Sequence, residues 1–186
     1  YTADYYYVKF FDSDNGVIVC GYAKSNDTNE SSRIYSTSNG GESWDIVGSG
    51  PATNIIKGVV YVSSDVGFFC YDYVEGMDSN LYKTDDGGKT FAKVMLEEQE
   101  LDSSAANPQG QETETKTDSG KNGADSSEQL RWGDVYKEAL TPVVDSTGII
   151  TIYLTQGKNA VYNDGKTAAK YQSSDKGSTW KYIGQV

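Results

Sequence analysis

Histidine is absent from the 186 residues, and arginine occurs only as Arg33 and Arg131. Without imidazole the chain has no Ser–His or Cys–His triad, no His-ligated zinc and no neutral-pH proton shuttle. Any chemistry would fall to carboxylates or tyrosine. Lys and Arg number 16 against 27 Asp and Glu, a net charge of −11 with a pI near 4.4. No clustered basic patch is left to displace counterions from a phosphate backbone, which excludes a nucleic-acid partner. No apolar run reaches 18 residues, so no membrane span is expected, and no basic stretch followed by an apolar one opens the chain as a signal peptide would. Any signal or anchor would lie outside this sequence. The two cysteines, Cys20 and Cys70, sit inside apolar runs (Val17 to Tyr22 and Val66 to Tyr73) and read as small buried thiols ahead of a disulfide.

What is present is a tyrosine-rich, 37% hydrophobic chain of a size that one domain can fill, residues 1–186, with enough apolar material for a core. Fifteen tyrosines, abundant Ser, Thr, Asn and Gly and the acidic balance lean towards an extracellular or cell-surface protein.

An internal repeat organises the sequence. Thr37, Asn39, Gly41, Ser43 and Trp44 recur as Thr84, Asp86, Gly88, Thr90 and Phe91, and again as Ser173, Asp175, Gly177, Thr179 and Trp180. Each copy is a hydroxyl residue, then Asp or Asn two positions on, then Gly, then Ser or Thr, then a large aromatic. Asp or Asn can accept backbone N–H bonds from its own turn, and Gly can take positive φ without a steric penalty. The spacing therefore predicts a tight turn between antiparallel strands, followed by an aromatic ring that enters the core. Upstream of each motif lie two runs of β-branched and aromatic residues around an Asp and Gly turn: Tyr6 to Phe11 and Val17 to Tyr22, Gly58 to Val62 and Phe68 to Tyr73, Thr141 to Val144 and Ile149 to Leu154. Four antiparallel strands in about 45 residues make one propeller blade.

The three motifs resemble the Asp-box, or bacterial neuraminidase repeat, of sialidases, sortilin-type receptors, xyloglucan-cleaving glycosidases and a photosystem assembly factor. The likeness covers nearly all of residues 5 to 98 and 135 to 186, departing at Asn39 and Phe91. It implies an all-β, β-propeller-like fold of three four-stranded antiparallel blades: residues 1–50, 51–96 and 130–186. The motifs are 47 and 89 residues apart. The longer interval contains residues 97–129, with nine acidic and two basic side chains (net −7) and almost no large apolar ones, which predicts a flexible acidic insertion. Three blades fall short of a usual ring, so a homodimer or further blades outside this chain would have to cover the open edges.

The resemblance does not carry sialidase activity. That chemistry grips its substrate with three arginines, and only Arg33 and Arg131 are available; in that family the boxes themselves are structural, so no catalytic residue is assigned. A glycosidase needs only two suitably spaced carboxylates, and Asp72, Glu75, Asp134 and Glu138 are among many candidates without a distinguishing spacing. Gly87-Gly88-Lys89-Thr90 lacks the earlier Gly of a phosphate loop, and Asp12 to Gly16 opens like a calcium loop but lacks its closing Glu. No metal and no cofactor is expected. Tyr71, Tyr73, Trp132, Tyr136 and Tyr162 exceed what three small cores need and form a candidate ligand platform. The leading reading is a non-catalytic binding module for a protein or glycan; the alternatives are a divergent glycoside hydrolase and an assembly factor.

Overall fold

The computed structural model describes residues 3–22, 32–101, 131–157, 162 and 167–186. Its regular structure is all-β apart from one helical turn. The first sheet runs β1 (Tyr5–Phe10), β2 (Gly16–Gly21), β3 (Ser32–Thr37) and β4 (Asp45–Ser49), each antiparallel to the last. The second repeats that order with β5 (Ile56–Tyr61), β6 (Gly67–Tyr71), β7 (Leu81–Thr84) and β8 (Ala92–Lys93). A short helix, α1 (Trp132–Val135), precedes the third sheet, which contains β9 (Glu138–Ala139), β10 (Val143–Val144), β11 (Ile150–Thr155), β12 (Ala169–Ser173) and β13 (Lys181–Gln185).

The third sheet therefore has five strands where four were expected. The cause is Pro142, which cannot donate to a ladder and divides the first strand: β9 and β10 pair separately with β11 on either side of it. Strand β8 is confined to Ala92–Lys93. The first residues of the acidic segment 97–129 are described and packed against the fold. Leu101 packs into the third sheet's core, and the Tyr171 hydroxyl donates to the Glu97 carbonyl at 2.7 Å. Residues 102–129 of that segment lie outside the described residues.

The sheets stack face to face in chain order. Val17, Val19 and Ile34 of the first sheet meet Ile56, Val59, Tyr61, Phe69 and Tyr71 of the second. Strand β6 is buried along its whole length because a strand's side chains alternate. Phe69 and Tyr71 face the first sheet, while Phe68 and Cys70 face Ile150 and Ile152 of the third. A third cluster, Trp132, Val135, Tyr136, Tyr162, Ala169 and Tyr171, seats α1 against β12. Hydroxyl groups join the first two sheets at their first strands: Val59 N donates to the Tyr5 hydroxyl and Tyr61 N to the Tyr7 hydroxyl, both at 3.1 Å. Both cysteines carry free thiols, with Cys70 buried and Cys20 partly exposed.

Candidate functional site

The three motif turns share one hydrogen-bond pattern. In the second, the Thr84 hydroxyl donates to Asp86 Oδ1 at 2.8 Å and accepts from Gly88 N at 2.8 Å. Asp86 Oδ1 also accepts from Lys89 N and Thr90 N, and Oδ2 takes the Thr90 hydroxyl at 2.6 Å. Ser173, Asp175, Gly177 and Thr179 repeat these contacts. In the first turn Asn39 Oδ1 takes the Thr37 hydroxyl and Ser43 N, while its Nδ2 donates to the Ser43 hydroxyl, so the amide reverses one bond and keeps the turn. The Thr90 and Thr179 hydroxyls hold the Asp86 and Asp175 carboxyls well below the usual carboxylate range.

Each motif glycine has positive φ, and two of them touch the neighbouring sheet. A Cβ on Gly88 would lie 3.0 Å from Ile34 Cδ1, and one on Gly177 would lie 2.5 Å from Phe68 Cζ. Of the following aromatics, Trp180 packs edge-on against Phe68 of the neighbouring sheet with centroids 6.0 Å apart, while Phe91 meets Phe69 at 4.9 Å and Trp44 meets Phe10 at 6.0 Å, each within its own sheet. Asp12 holds its own hairpin through Asp14 N and Asn15 N, which is the turn reading of that segment, and no acidic or thiol cluster able to hold a metal occurs among the described residues.

The proposed platform separates into two parts. Tyr71, Trp132, Tyr136 and Tyr162 are all buried and pack as core, so they do not form an exposed surface of ring faces. The reason is the stacking of the sheets: ring positions that would be open on an isolated sheet are covered by the next one or by α1. Tyr73, Trp132 and Tyr136 nevertheless meet on one cleft of about 290 Å³ between the second and third sheets, which Tyr71 and Tyr162 do not line. Trp132 and Tyr136 form its wall, with ring centroids 4.6 Å apart. Its other lining comes from Met77, Asp78 and Asn80 ahead of β7, Leu96 and Glu98 after β8, and Lys137 beside β9.

Two ion pairs border the cleft. Asp78 meets Lys93 at 2.8 Å, which lowers its pKa, and Lys137 meets Glu75 at 2.7 Å. Buried Asn80 stitches the back: its Nδ2 donates to the carbonyls of Tyr71 and Ala139, and its Oδ1 accepts Ala139 N. Sequence reasoning missed this residue, since nothing distinguishes Ser79-Asn80 from a polar turn. The indole N–H of Trp132 is buried, and among the described residues no acceptor meets it in hydrogen-bond geometry. It lies close enough to Tyr171 to oppose the burial that pushes that hydroxyl up to about 12. None of the carboxylates singled out in the sequence lines the cleft itself: Asp72 pairs with Lys57 at 2.8 Å, Asp134 lies 3.9 Å from Arg131, and Glu75 reaches only the border through Lys137. A second recess of about 230 Å³, of mixed polar and apolar lining, lies where the first two motif turns meet, with Phe11, Val17, Thr37, Asp45, Asp86 and Lys89 among its walls.

These features define an all-β protein of stacked antiparallel sheets with a cleft between two of them. No family model and no curated protein matches the sequence. Among solved structures, the chain is similar to the GH74 enzyme of Niastella koreensis, with 17% identity and a TM-score of 0.43 over 89% of this chain and 19% of that one. The chain thus spans about a fifth of that protein's length. No helix among the described residues is long and apolar enough to cross a membrane.

Proposed function

We propose that this chain is a non-catalytic, extracellular or cell-surface binding module of the Asp-box class, β-propeller-like in architecture, that takes a glycan or a short polar peptide segment in the cleft between its second and third sheets. The observation that carries the reading is the composition of that cleft. Ring and aliphatic walls offer contact area, and Tyr73, Asp78, Glu98 and Lys137 place hydroxyl, acceptor and cationic groups at one concave site. Orientation by a few polar groups over an apolar wall is how small ligands are held. A sugar presents apolar C–H faces to rings and hydroxyls to carboxylates, which suits this mixture.

The test is binding of glycan and peptide libraries to the intact chain and to a Tyr73→Ala variant. Binding that weakens about tenfold or more in the variant, equivalent to ~1.4 kcal/mol, supports the cleft. Binding that is absent, or indifferent to Tyr73, removes it. A second reading rests on Asp78 and Glu98 lining the same cleft, two carboxylates as a glycoside hydrolase requires. Release of reducing sugar that is lost in Asp78→Asn or Glu98→Gln would replace binding by hydrolysis.

A further inference from the structure

The sheets are related position by position, and the cross-strand rows show it. In the first sheet Val8 pairs with Ile18, Ile18 with Tyr35 and Tyr35 with Ile46. In the second, Val59 pairs with Phe69, Phe69 with Tyr82 and Tyr82 with Lys93. In the third, Ile152 pairs with Tyr171 and Tyr171 with Tyr182. This row lies on the face that each sheet turns towards its predecessor. Where a sheet precedes, the inner part of the row is covered, with Val59 3% and Phe69 and Ile152 0% exposed, while the outermost member of the second sheet's row, Lys93, stays exposed. Among the described residues no sheet precedes the first, and Val8 there is 56% exposed where its counterpart Val59 is 3%; Ile46, at 65%, extends the same open row. Phe10, opposite Gly16 as Tyr61 is opposite Gly67, is 44% exposed against 1% for Tyr61.

We infer that this face of the first sheet, centred on Val8, Phe10, Ile18 and Ile46, is a docking surface for a further four-stranded antiparallel sheet that presents branched aliphatic side chains in the positions of Val17, Val19 and Ile34. The occupant's chemistry follows from the two interfaces already in the molecule. The first sheet covers the second with Val17, Val19 and Ile34, and the second covers the third with Phe68, Cys70 and Leu81. A second copy of this chain is a poor occupant. The positions that match Val17, Val19 and Ile34 on its own unpaired outer face, in the third sheet, are Thr151, Tyr153 and Lys170. These would set a phenol and an ammonium against an aliphatic row, beside a hydroxyl that already accepts from Gln172 Nε2 at 3.1 Å. The surface is separate from the cleft between the second and third sheets and does not depend on its ligand.

The mismatch supplies the test. The intact chain, a variant with Thr151→Val, Tyr153→Val and Lys170→Ile, and that variant carrying Val8→Lys as well are compared by light scattering and by the rate at which a maleimide labels Cys20. Cys20 pairs with Tyr6 on the open face and reports its coverage, while buried Cys70 serves as the internal control. The expected result is a monomeric parent with a reactive Cys20. The triple variant, now holding the aliphatic set, associates head to tail with rising concentration and labels severalfold more slowly at Cys20. Val8→Lys restores the monomer and the rate. A folded triple variant that stays monomeric with Cys20 unprotected overturns the inference, as does association that survives Val8→Lys. A parent chain that already dimerises with Cys20 protected overturns it too, in favour of a second copy.

Discussion

At the scale of single residues the motif turns are held by side chains that belong to the turn, so they were legible in the sequence. Thr84, Asp86, Gly88 and Thr90 satisfy one another within seven residues, and no distant group is needed. Less legible was the second task of the motif glycine. Gly177 has φ +77 and stands against Phe68, so a side chain there must meet both an unfavourable backbone conformation and a fully buried ring. Gly76 has φ +91 with nothing within 4 Å. Gly76→Ala should therefore cost about 1 kcal/mol from backbone conformation alone, and Gly177→Ala about 3 kcal/mol or more as overpacking is added. Urea titrations of both variants measure the difference, and equal losses would show that Phe68 moves aside freely.

At the scale of elements, sheet membership followed from periodicity and turns, whereas the contacts between sheets did not. Alternation along Tyr5 to Phe10 and Gly16 to Gly21 marks one strand face from the other, yet says nothing of which neighbour covers it. For that reason Tyr71 and Tyr162 read in the sequence as open rings although the fold buries them in the core, and Asn80 carries no distinguishing signal there. The cleft was legible only through Tyr73, Trp132 and Tyr136; Asp78, Glu98 and Lys137 reach it through the stacking of the second sheet on the third. Asn80 gives this interface a measurable signature. Replacing it by Leu leaves Ala139 N–H unpaired and takes a donor from two buried carbonyls, at a cost of about 3 kcal/mol. Amide exchange should accelerate in β9 and α1 and stay unchanged in β1 to β4. Phe69→Ala acts on the other side of β6: it empties the core between the first two sheets and should cost about 3–5 kcal/mol. Its exchange pattern should be the converse, with the first sheet loosened and α1 protected.

At the scale of the whole molecule, acid stability depends on charge summed over the chain and on where the depressed carboxyls lie. With a net charge of −11 the folded state carries self-repulsion at pH 7, which protonation of ordinary carboxylates relieves on the way to pH 5. Opposing this, Asp12, Asp78, Asp86, Asp145 and Asp175 all have lowered pKa values. A carboxyl whose folded pKa lies below its unfolded value, about 3.9, contributes stability that is present above the unfolded value and lost as pH falls towards the folded one. Stability should therefore hold or rise slightly from pH 7 to 5, then fall steeply below about pH 4 as the motif turns become protonated. Asn39 already performs the same turn with an amide, so Asp86→Asn together with Asp175→Asn should keep the fold at pH 7 while flattening the decline below pH 4. Denaturant midpoints from pH 7 to 2 for both proteins check this. An unchanged acid slope in the double variant would move the origin of acid unfolding away from the motif turns, towards the ion pairs of Asp78 and the hairpins closed by Asp12 and Asp145.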